Sequence, residues 1–352
     1  MNQRILFFSR GKGRGHAIPD AAIATDLMAR EPSVEVTFAS YSTGLATLRD
    51  LGCPVIDLGL PETNPLWDTV SRVIALLREH SADLILSHEE FAAVPVAKAF
   101  GIPAVFLTDW FLDSDHLLMK SLAVADEVLF MDAPGYFDEP EYLAGKVRYV
   151  GNIFRHLERS DAQGEAKRVS LGIPRTATVI SVLPGGATMH SEASAPVFDL
   201  VVDAFRNASL PDKRLMWVAD RRDHEDLGKR AGLGRALILL EPHLDIASTI
   251  VASDLVITKS NRRTLLECQA LGVPSISISF GLNPMDEQRI VRIPTNTALR
   301  AGGIDELILA DYIVAALKSA PLLSGQTPID TTAGRTLAVG RILEHLQRTR
   351  PS

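Results

Sequence analysis

The fold class this sequence predicts is α/β, two Rossmann-like domains facing each other across a cleft, and three observations predict it. Short apolar runs alternate with helix-period segments along nearly the whole chain. The alternation occurs twice, in halves of similar size, and each half shares one plan: a strand, a Gly-rich turn, a helix. Strands separated by helices of this length pair in parallel through right-handed crossovers.

In the first half, Ile5-Leu6-Phe7-Phe8 is the opening strand, and it breaks into Ser9-Arg10-Gly11-Lys12-Gly13-Arg14-Gly15-His16. Ala17, Ala21, Ala24, Leu27 and Met28 then recur at helical spacing, and Glu35 to Ala39 reads as the next strand. A helix over Gly44 to Asp50, a strand at Pro54-Val55-Ile56, a Pro-containing loop from Gly59 to Pro65 and a helix ending near His80 follow. Asp83 to Ser87 and Ile102 to Leu107 are buried-type strands around a helix from Phe91 to Phe100, and they lead to His88-Glu89-Glu90 and Thr108-Asp109-Trp110. Domain one is placed at residues 1–150, with 151–170 as a linker because apolar content falls there.

Domain two is placed at 171–325. Strands are read at Val179 to Leu183, Leu215 to Ala219, Ala236 to Leu240, Leu255 to Thr258 and Ser275 to Ile278, with helices over Val197 to Arg206, Asp245 to Ser253 and Thr264 to Leu271. Residues 326–352 form a closing helix whose stripe of Leu337, Val339, Ile342 and Leu346 is expected to pack back across a domain surface.

Bulk properties narrow the function. A chain of 352 residues has room for two cores. A formal net charge of −7, with Lys and Arg scattered, argues against a nucleic-acid partner. Cys53 and Cys268 stand too far apart for a disulfide framework or a zinc spacing, which fits a reducing cytoplasm. The amino terminus lacks the pattern of a signal peptide, and no apolar run is long enough to span a bilayer.

Ligands of open α/β sheets bind outside the carboxyl ends of the strands, and four loops there carry chemistry. The turn ending in His16 is neither a Walker loop nor a dinucleotide fingerprint; its histidine reads either as a base at a helix mouth or as a capping residue. Pro184-Gly185-Gly186-Ala187-Thr188 suits backbone contact with an anion, and is equally ordinary turn chemistry. Thr258 to Glu267 is a strand end, capping residues and a helix start, where a diphosphate can meet free N–H groups with Ser260, Asn261 and Thr264 beside it. Glu267, set among Leu265, Leu266 and Leu271, can accept both hydrogen bonds of a ribose diol, and an acid in a core-rich helix needs a partner. In the fourth loop, Asp286, Glu287 and Gln288 suit sugar hydroxyls or simply begin a polar helix.

Together these residues resemble the GT-B glycosyltransferases, above all the branch with the macrolide and plant nucleotide-sugar transferases and the peptidoglycan N-acetylglucosaminyltransferase. Gly15-His16-Ala17-Ile18-Pro19 is similar to that family's Gly-His-x-x-Pro segment, whose histidine is the general base. Thr264-Leu265-Leu266-Glu267 with Ala270-Leu271-Gly272-Val273-Pro274 is similar to its donor motif, in which the glutamate holds the nucleotide ribose. Asp286 to Gln288 resembles its pair of sugar-reading residues. Ala82 to Ser87 with Ala99 to Pro103 is also similar to the transferase-like part of L-arabinokinase, without the kinase portion. One departure stands out: Arg262 and Arg263 occupy the donor turn where the family has glycines, and two guanidiniums there either clamp an acidic donor or close the pocket.

The resemblance implies an inverting transfer of sugar from a nucleotide diphosphate, UDP expected, to an acceptor hydroxyl. His16 is the expected base, and Glu89 or Asp109 its carboxylate partner. Donor contacts are expected from Gly185, Gly186, Thr188, Ser260, Asn261, Arg262, Arg263, Thr264, Glu267, Asp286, Glu287 and Gln288. No metal and no cofactor are expected; Asp113-Ser114-Asp115 has an Asp-x-Asp spelling but reads as loop or helix start. A nucleotide-sugar hydrolase or epimerase of the same fold, and a non-catalytic nucleotide-sugar binder, are the alternatives. The acceptor is not legible, although Trp67, Trp110 and Phe111 suggest an aromatic-lined pocket. Lys12 and Arg14 have no assigned role.

Overall fold

The computed structural model describes residues 2–110, 120–184, 195–279, 284–323 and 329–348. The chain divides into two compact units, Met1–His156 with Thr331–Ser352, and Leu157–Asp330.

The first unit is built from β1 (Gln3–Ser9), α1 (Ala17–Arg30), β2 (Val34–Ser40), α2 (Ser42–Asp50), β3 (Val55–Asp57), α3 (Leu66–Glu79), β4 (Leu84–His88), α4 (Ala93–Ala99), β5 (Ala104–Thr108), β6 (Glu127–Phe130) and β7 (Val147–Tyr149). Its seven strands pair in parallel in the order β3-β2-β1-β4-β5-β6-β7. Side chains alternate across a strand, so β1 feeds two cores. Leu6 and Phe8 pack with Val73, Leu76 and Val94 of α3 and α4, whereas Ile5 and Phe7 pack with Ile23, Leu27 and Leu48 of α1 and α2. Both faces are covered, which is why these strands read as continuous apolar runs.

The second unit contains α5 (Asp161–Ser170), β8 (Thr178–Leu183), α6 (Ala195–Asn207), β9 (Lys213–Val218), α7 (His224–Ala231), β10 (Leu237–Leu240), α8 (Ile246–Val251), β11 (Leu255–Thr258), α9 (Arg262–Ala270), β12 (Ser275–Ser279), α10 (Pro284–Val291), β13 (Asn296–Arg300) and α11 (Glu306–Leu323). Its six strands are again parallel, in the order β10-β9-β8-β11-β12-β13. Each sheet therefore reverses direction between its first and fourth strands, β1 and β4 in one unit, β8 and β11 in the other. A topological switch point of this kind opens a crevice at the strand ends.

Two expectations change. Residues 151–170 are not all linker: α5 lies within them, capped by the Ser160 hydroxyl, which accepts from the Gln163 N–H at 3.3 Å. Its composition misleads because the helix is polar, and the contact that seats it is made by Gly164, where a Cβ would stand 2.7 Å from Val251. The closing helix α12 (Ala333–Arg348) packs on the first unit, with Ala338, Val339, Ile342 and Leu346 in the core that contains Phe7. Leu337 is exposed instead, one position off that face. Arg335 anchors the start of α12 by donating to Asp26 Oδ2 at 2.7 Å and to the Phe154 carbonyl at 2.8 Å. Among the described residues no helix is long and apolar enough to cross a membrane.

Candidate active site

His16 closes the turn after β1 and is the N-cap of α1, to which it gives no side-chain hydrogen bond. The turn is tight because Gly11 lies against Tyr41, whose carbonyl oxygen would be 2.3 Å from a Cβ at that position, and because Gly13 takes φ +69°. Glu89 immediately follows β4. Since Ser9 of β1 is in register with His88 of β4, the two loops emerge side by side at the switch point.

The consequence is a close pair of a half-buried imidazole and a buried carboxylate. His16 Nε2 lies 2.9 Å from Glu89 Oε2, with His16 18% exposed and Glu89 4%. Glu89 reaches this position from φ +57°, a left-handed conformation that costs a non-glycine residue about 1 kcal/mol or more. Thr108 at the end of β5 donates to Glu89 Oε1 at 3.0 Å, and Arg10 stands 3.4 Å from Oε2. Burial by itself would raise the Glu89 carboxyl. The charges of His16, His88 and Arg10 and the hydrogen bond from His16 outweigh it, holding Glu89 well below the usual carboxylate range.

A second imidazole-carboxylate pair lies behind the first. His88 Nδ1 is 2.6 Å from Asp20 Oδ1, both are buried, and Ser9 donates to the other Asp20 oxygen at 2.6 Å. The His88 ring meets the His16 ring edge-on, with centroids 4.5 Å apart and planes at 66°. Asp20 and Ser9 were not expected here. The signal was present: Asp20 falls in the first turn of a helix whose Ala17, Ala21 and Ala24 are core, and an acid on that buried face needs a partner.

Glu90, Tyr41 and Asn64 were also missed. The buried Glu90 carboxylate accepts from Asn64 Nδ2 at 3.0 Å, with the Tyr41 hydroxyl at 3.4 Å. Burial pushes the Glu90 carboxyl up to about 7, and burial with the neighbouring Glu90 charge pushes the Tyr41 hydroxyl up as well. Adjacent glutamates are thus driven in opposite directions by their surroundings. Asp109, the other expected partner of His16, is half-buried beyond β5. Trp67 is 76% exposed and Trp110 half-buried; Phe111 and Asp113 to Asp115 lie outside the described residues.

In the second unit, β11 ends at Thr258, whose buried hydroxyl donates to the Leu183 carbonyl of β8 at 2.7 Å. The bond ties the two strands of that switch point together. Ser260 takes φ +42°, and Asn261 is the N-cap of α9 without a side-chain cap bond. Arg262 and Arg263 are half-buried in the first turn, Thr264 and Glu267 buried behind them. Ser260 Oγ and one terminal nitrogen of Arg263 are covered and have no hydrogen-bond partner among the described residues. Polar atoms left in that state are the kind a ligand satisfies. Glu287 pairs with Arg300, and Gln288 is exposed. Gly185, Gly186 and Thr188 lie outside the described residues, as does the side chain of Asp286.

No protein-family model matches the chain. In sequence it is similar to a UDP-N-acetylglucosamine–N-acetylmuramyl-(pentapeptide) pyrophosphoryl-undecaprenol N-acetylglucosamine transferase from Acetivibrio thermocellus. The two are 23% identical over 364 residues, covering 96% of this chain and 96% of that protein. Among solved structures it is similar to the glycotransferase of kitacinnamycin, with TM-score 0.70 and 17% identity over 98% of this chain and 100% of the other. A putative UDP-N-acetylglucosamine 2-epimerase from Listeria monocytogenes matches with TM-score 0.69 and 14% identity, over 100% of this chain and 98% of the other. These likenesses establish the GT-B fold and bear out the resemblance to GT-B glycosyltransferases carried by the sequence motifs.

Proposed function

We propose that this chain, similar to GT-B glycosyltransferases over nearly its whole length, is an inverting, metal-independent glycosyltransferase that uses a UDP-sugar and a hydroxyl acceptor. The observation that carries the reading is the pairing of half-buried His16 with buried Glu89 at the first switch point. With Nε2–H directed to Glu89, the lone pair of His16 is on Nδ1, which is covered and has no hydrogen-bond partner among the described residues. An acceptor hydroxyl supplies that partner. Its proton passes to His16 as its oxygen bonds to the anomeric carbon and the bond from that carbon to the diphosphate oxygen breaks. Glu89 stabilises the imidazolium that results.

The leaving diphosphate takes the electron pair of the broken bond. Free N–H groups at the start of α9, the unsatisfied Arg263 nitrogen and Ser260 Oγ are suited to receive its charge, and Glu267 to hold the ribose diol. On this reading Arg262 and Arg263 clamp the donor rather than close its site.

The test has two arms. A thermal-shift panel of UDP, dTDP and their sugars is expected to show stabilisation by at least one UDP-linked donor, lost in Glu267→Ala. Incubation of the same donors with and without hydroxyl acceptors is expected to give transfer that His16→Ala abolishes. Full transfer in His16→Ala would refute the base. Release of free sugar without acceptor would favour a hydrolase, and stabilisation without turnover a binding protein.

A further inference from the structure

Glu89 meets His16 at a single atom, Nε2, and one hydrogen bond fixes that atom without fixing the plane of the ring. The other imidazole supplies what is missing. His88 stands edge-on to the His16 ring, with centroids 4.5 Å apart and planes at 66°. We propose, on the reading of His16 as the base, that Asp20 is a positioning residue for it, acting through His88: by fixing His88, Asp20 holds the His16 ring in the plane and tautomer in which Nε2–H meets Glu89.

The contacts close a circuit. Asp20 lies one turn beyond His16 on α1, and its backbone N–H donates to the His16 carbonyl at 3.2 Å. One Asp20 oxygen takes His88 Nδ1 at 2.6 Å and the other takes the Ser9 hydroxyl at 2.6 Å, with Asp20 0% and His88 1% exposed. Two donors on two oxygens suit a carboxylate; an amide offers only one acceptor. From Asp20 the circuit returns through the His88 ring to His16. The backbone around His88 is tied as well, its carbonyl accepting from the Arg10 N–H at 3.2 Å and the Glu89 N–H donating to the Leu107 carbonyl at 3.2 Å.

The strain at Glu89 belongs to the same device. Consecutive residues of a strand point to opposite faces, and the left-handed φ of +57° at Glu89 departs from that alternation, so that His88 and Glu89 both reach one imidazole. A strained conformation persists where its surroundings over-determine it. Here the contact with His16 and the Thr108 bond to the other Glu89 oxygen do so. Glu89 touches the ring whose charge changes; Asp20 does not, and its effect falls on how often that ring is correctly aimed.

Side-chain ¹⁵N NMR of the full chain reads the His16 ring without any transfer assay, its signals identified by their loss in His16→Gln. The parent is expected to show one His16 tautomer, with the proton on Nε2. Asp20→Ala leaves His88 Nδ1 without its acceptor, so the His16 tautomers should mix and kcat should fall roughly 10- to 100-fold with UDP-induced stabilisation unchanged. Asp20→Asn keeps the shape and one acceptor oxygen and should restore part of both; Ser9→Ala should change both in the same direction by less. Circular dichroism of each variant checks its fold. An Asp20 that merely supports the fold would lower the unfolding midpoint and leave the ring and kcat of the folded protein as they are. That result, a single Nε2–H tautomer with kcat within about twofold of the parent, would overturn the proposal, as would mixed tautomers in the parent itself. Should Asp20→Ala not fold, Asp20→Asn and Ser9→Ala decide by the same two readings. The ring is read apart from transfer: a parent that transfers no sugar fails the glycosyltransferase reading while the NMR still judges Asp20, and an unchanged ring in variants of an active parent fails Asp20 alone.

Discussion

Replacing Glu89 by Gln tests the acid-base assignment more sharply than deleting His16, because the shape of the site survives. The amide can still meet His16 Nε2 across the present 2.9 Å, but it carries no charge and can present its NH2 to the ring, selecting the wrong tautomer. The magnitude follows from the geometry. Opposite unit charges about 4 Å apart at an effective dielectric near 20 interact by about 4 kcal/mol, and a pair only 4% exposed on its carboxylate side is little screened by salt. If that interaction develops fully as His16 gains its proton, its loss lowers kcat by roughly 10³-fold. Donor binding should not change, because Glu89 belongs to the first unit and the proposed donor residues to the second. The assay is steady-state transfer from a UDP-sugar, with kcat separated from KM, alongside UDP-induced thermal stabilisation. A fall in kcat of less than tenfold with a correctly folded protein would refute the view that Glu89 supports a charged His16.

Two glycines make further predictions. Gly11→Ala would place its Cβ 2.3 Å from the Tyr41 carbonyl and 2.5 Å from Tyr41 Cδ2, so the turn that carries His16 must shift by about 1 Å; kcat should fall on the order of 10²-fold with UDP stabilisation unchanged. Gly334→Ala would put a Cβ 2.2 Å from the Asn152 carbonyl and lift the start of α12, with its Arg335 anchor, off the first unit. The midpoint of urea unfolding should drop by the equivalent of about 1–3 kcal/mol, whereas Gly340→Ala in the same helix, with nothing nearer than 3.9 Å, should raise stability by about 0.5–1 kcal/mol.

Legibility in the sequence followed how deeply an element is buried. Central strands such as Leu84–His88 and Ala104–Thr108 are covered on both faces and read as unbroken apolar runs. The strands that went unread, β6, β7 and β13, are short or lie towards a sheet edge, and they carry Glu127, Arg148 and Asn296. The candidate base was legible because a glycine-rich strand-to-helix turn has few uses for a histidine. Its partner was not. Choosing between Glu89 and Asp109 requires the strand order: β4 is the direct neighbour of β1, whereas β5 is one strand further, roughly 9–10 Å away. Only when that order is known does Glu89 fall beside His16 and Thr108 become the residue that reaches across from β5.

The strand order also separates the work of the two switch points. Each places a helix N-terminus, α1 or α9, at the mouth of its crevice, and a helix N-terminus favours negative charge. At α1 the place is filled from within: Asp20 lies in its first turn, and Glu89 stands against its N-cap residue. A diphosphate arriving there would face the Glu89 carboxylate beside the N-cap residue, with the Asp20 charge buried behind it, despite Arg10, Lys12 and Arg14 on the turn. At α9 the first turn holds no acid; it holds Arg262 and Arg263, after an N-cap whose side chain caps nothing. The anion expected of a nucleotide donor is therefore better received by the second unit. On the proposed mechanism, the Glu89 carboxylate that makes the first mouth unsuited to a phosphate is also the one placed to stabilise positive charge on the His16 imidazole. On the proposed reading, what looks in the sequence like one motif used twice would support opposite chemistry in the two units, proton acceptance at His16 and charge acceptance at α9.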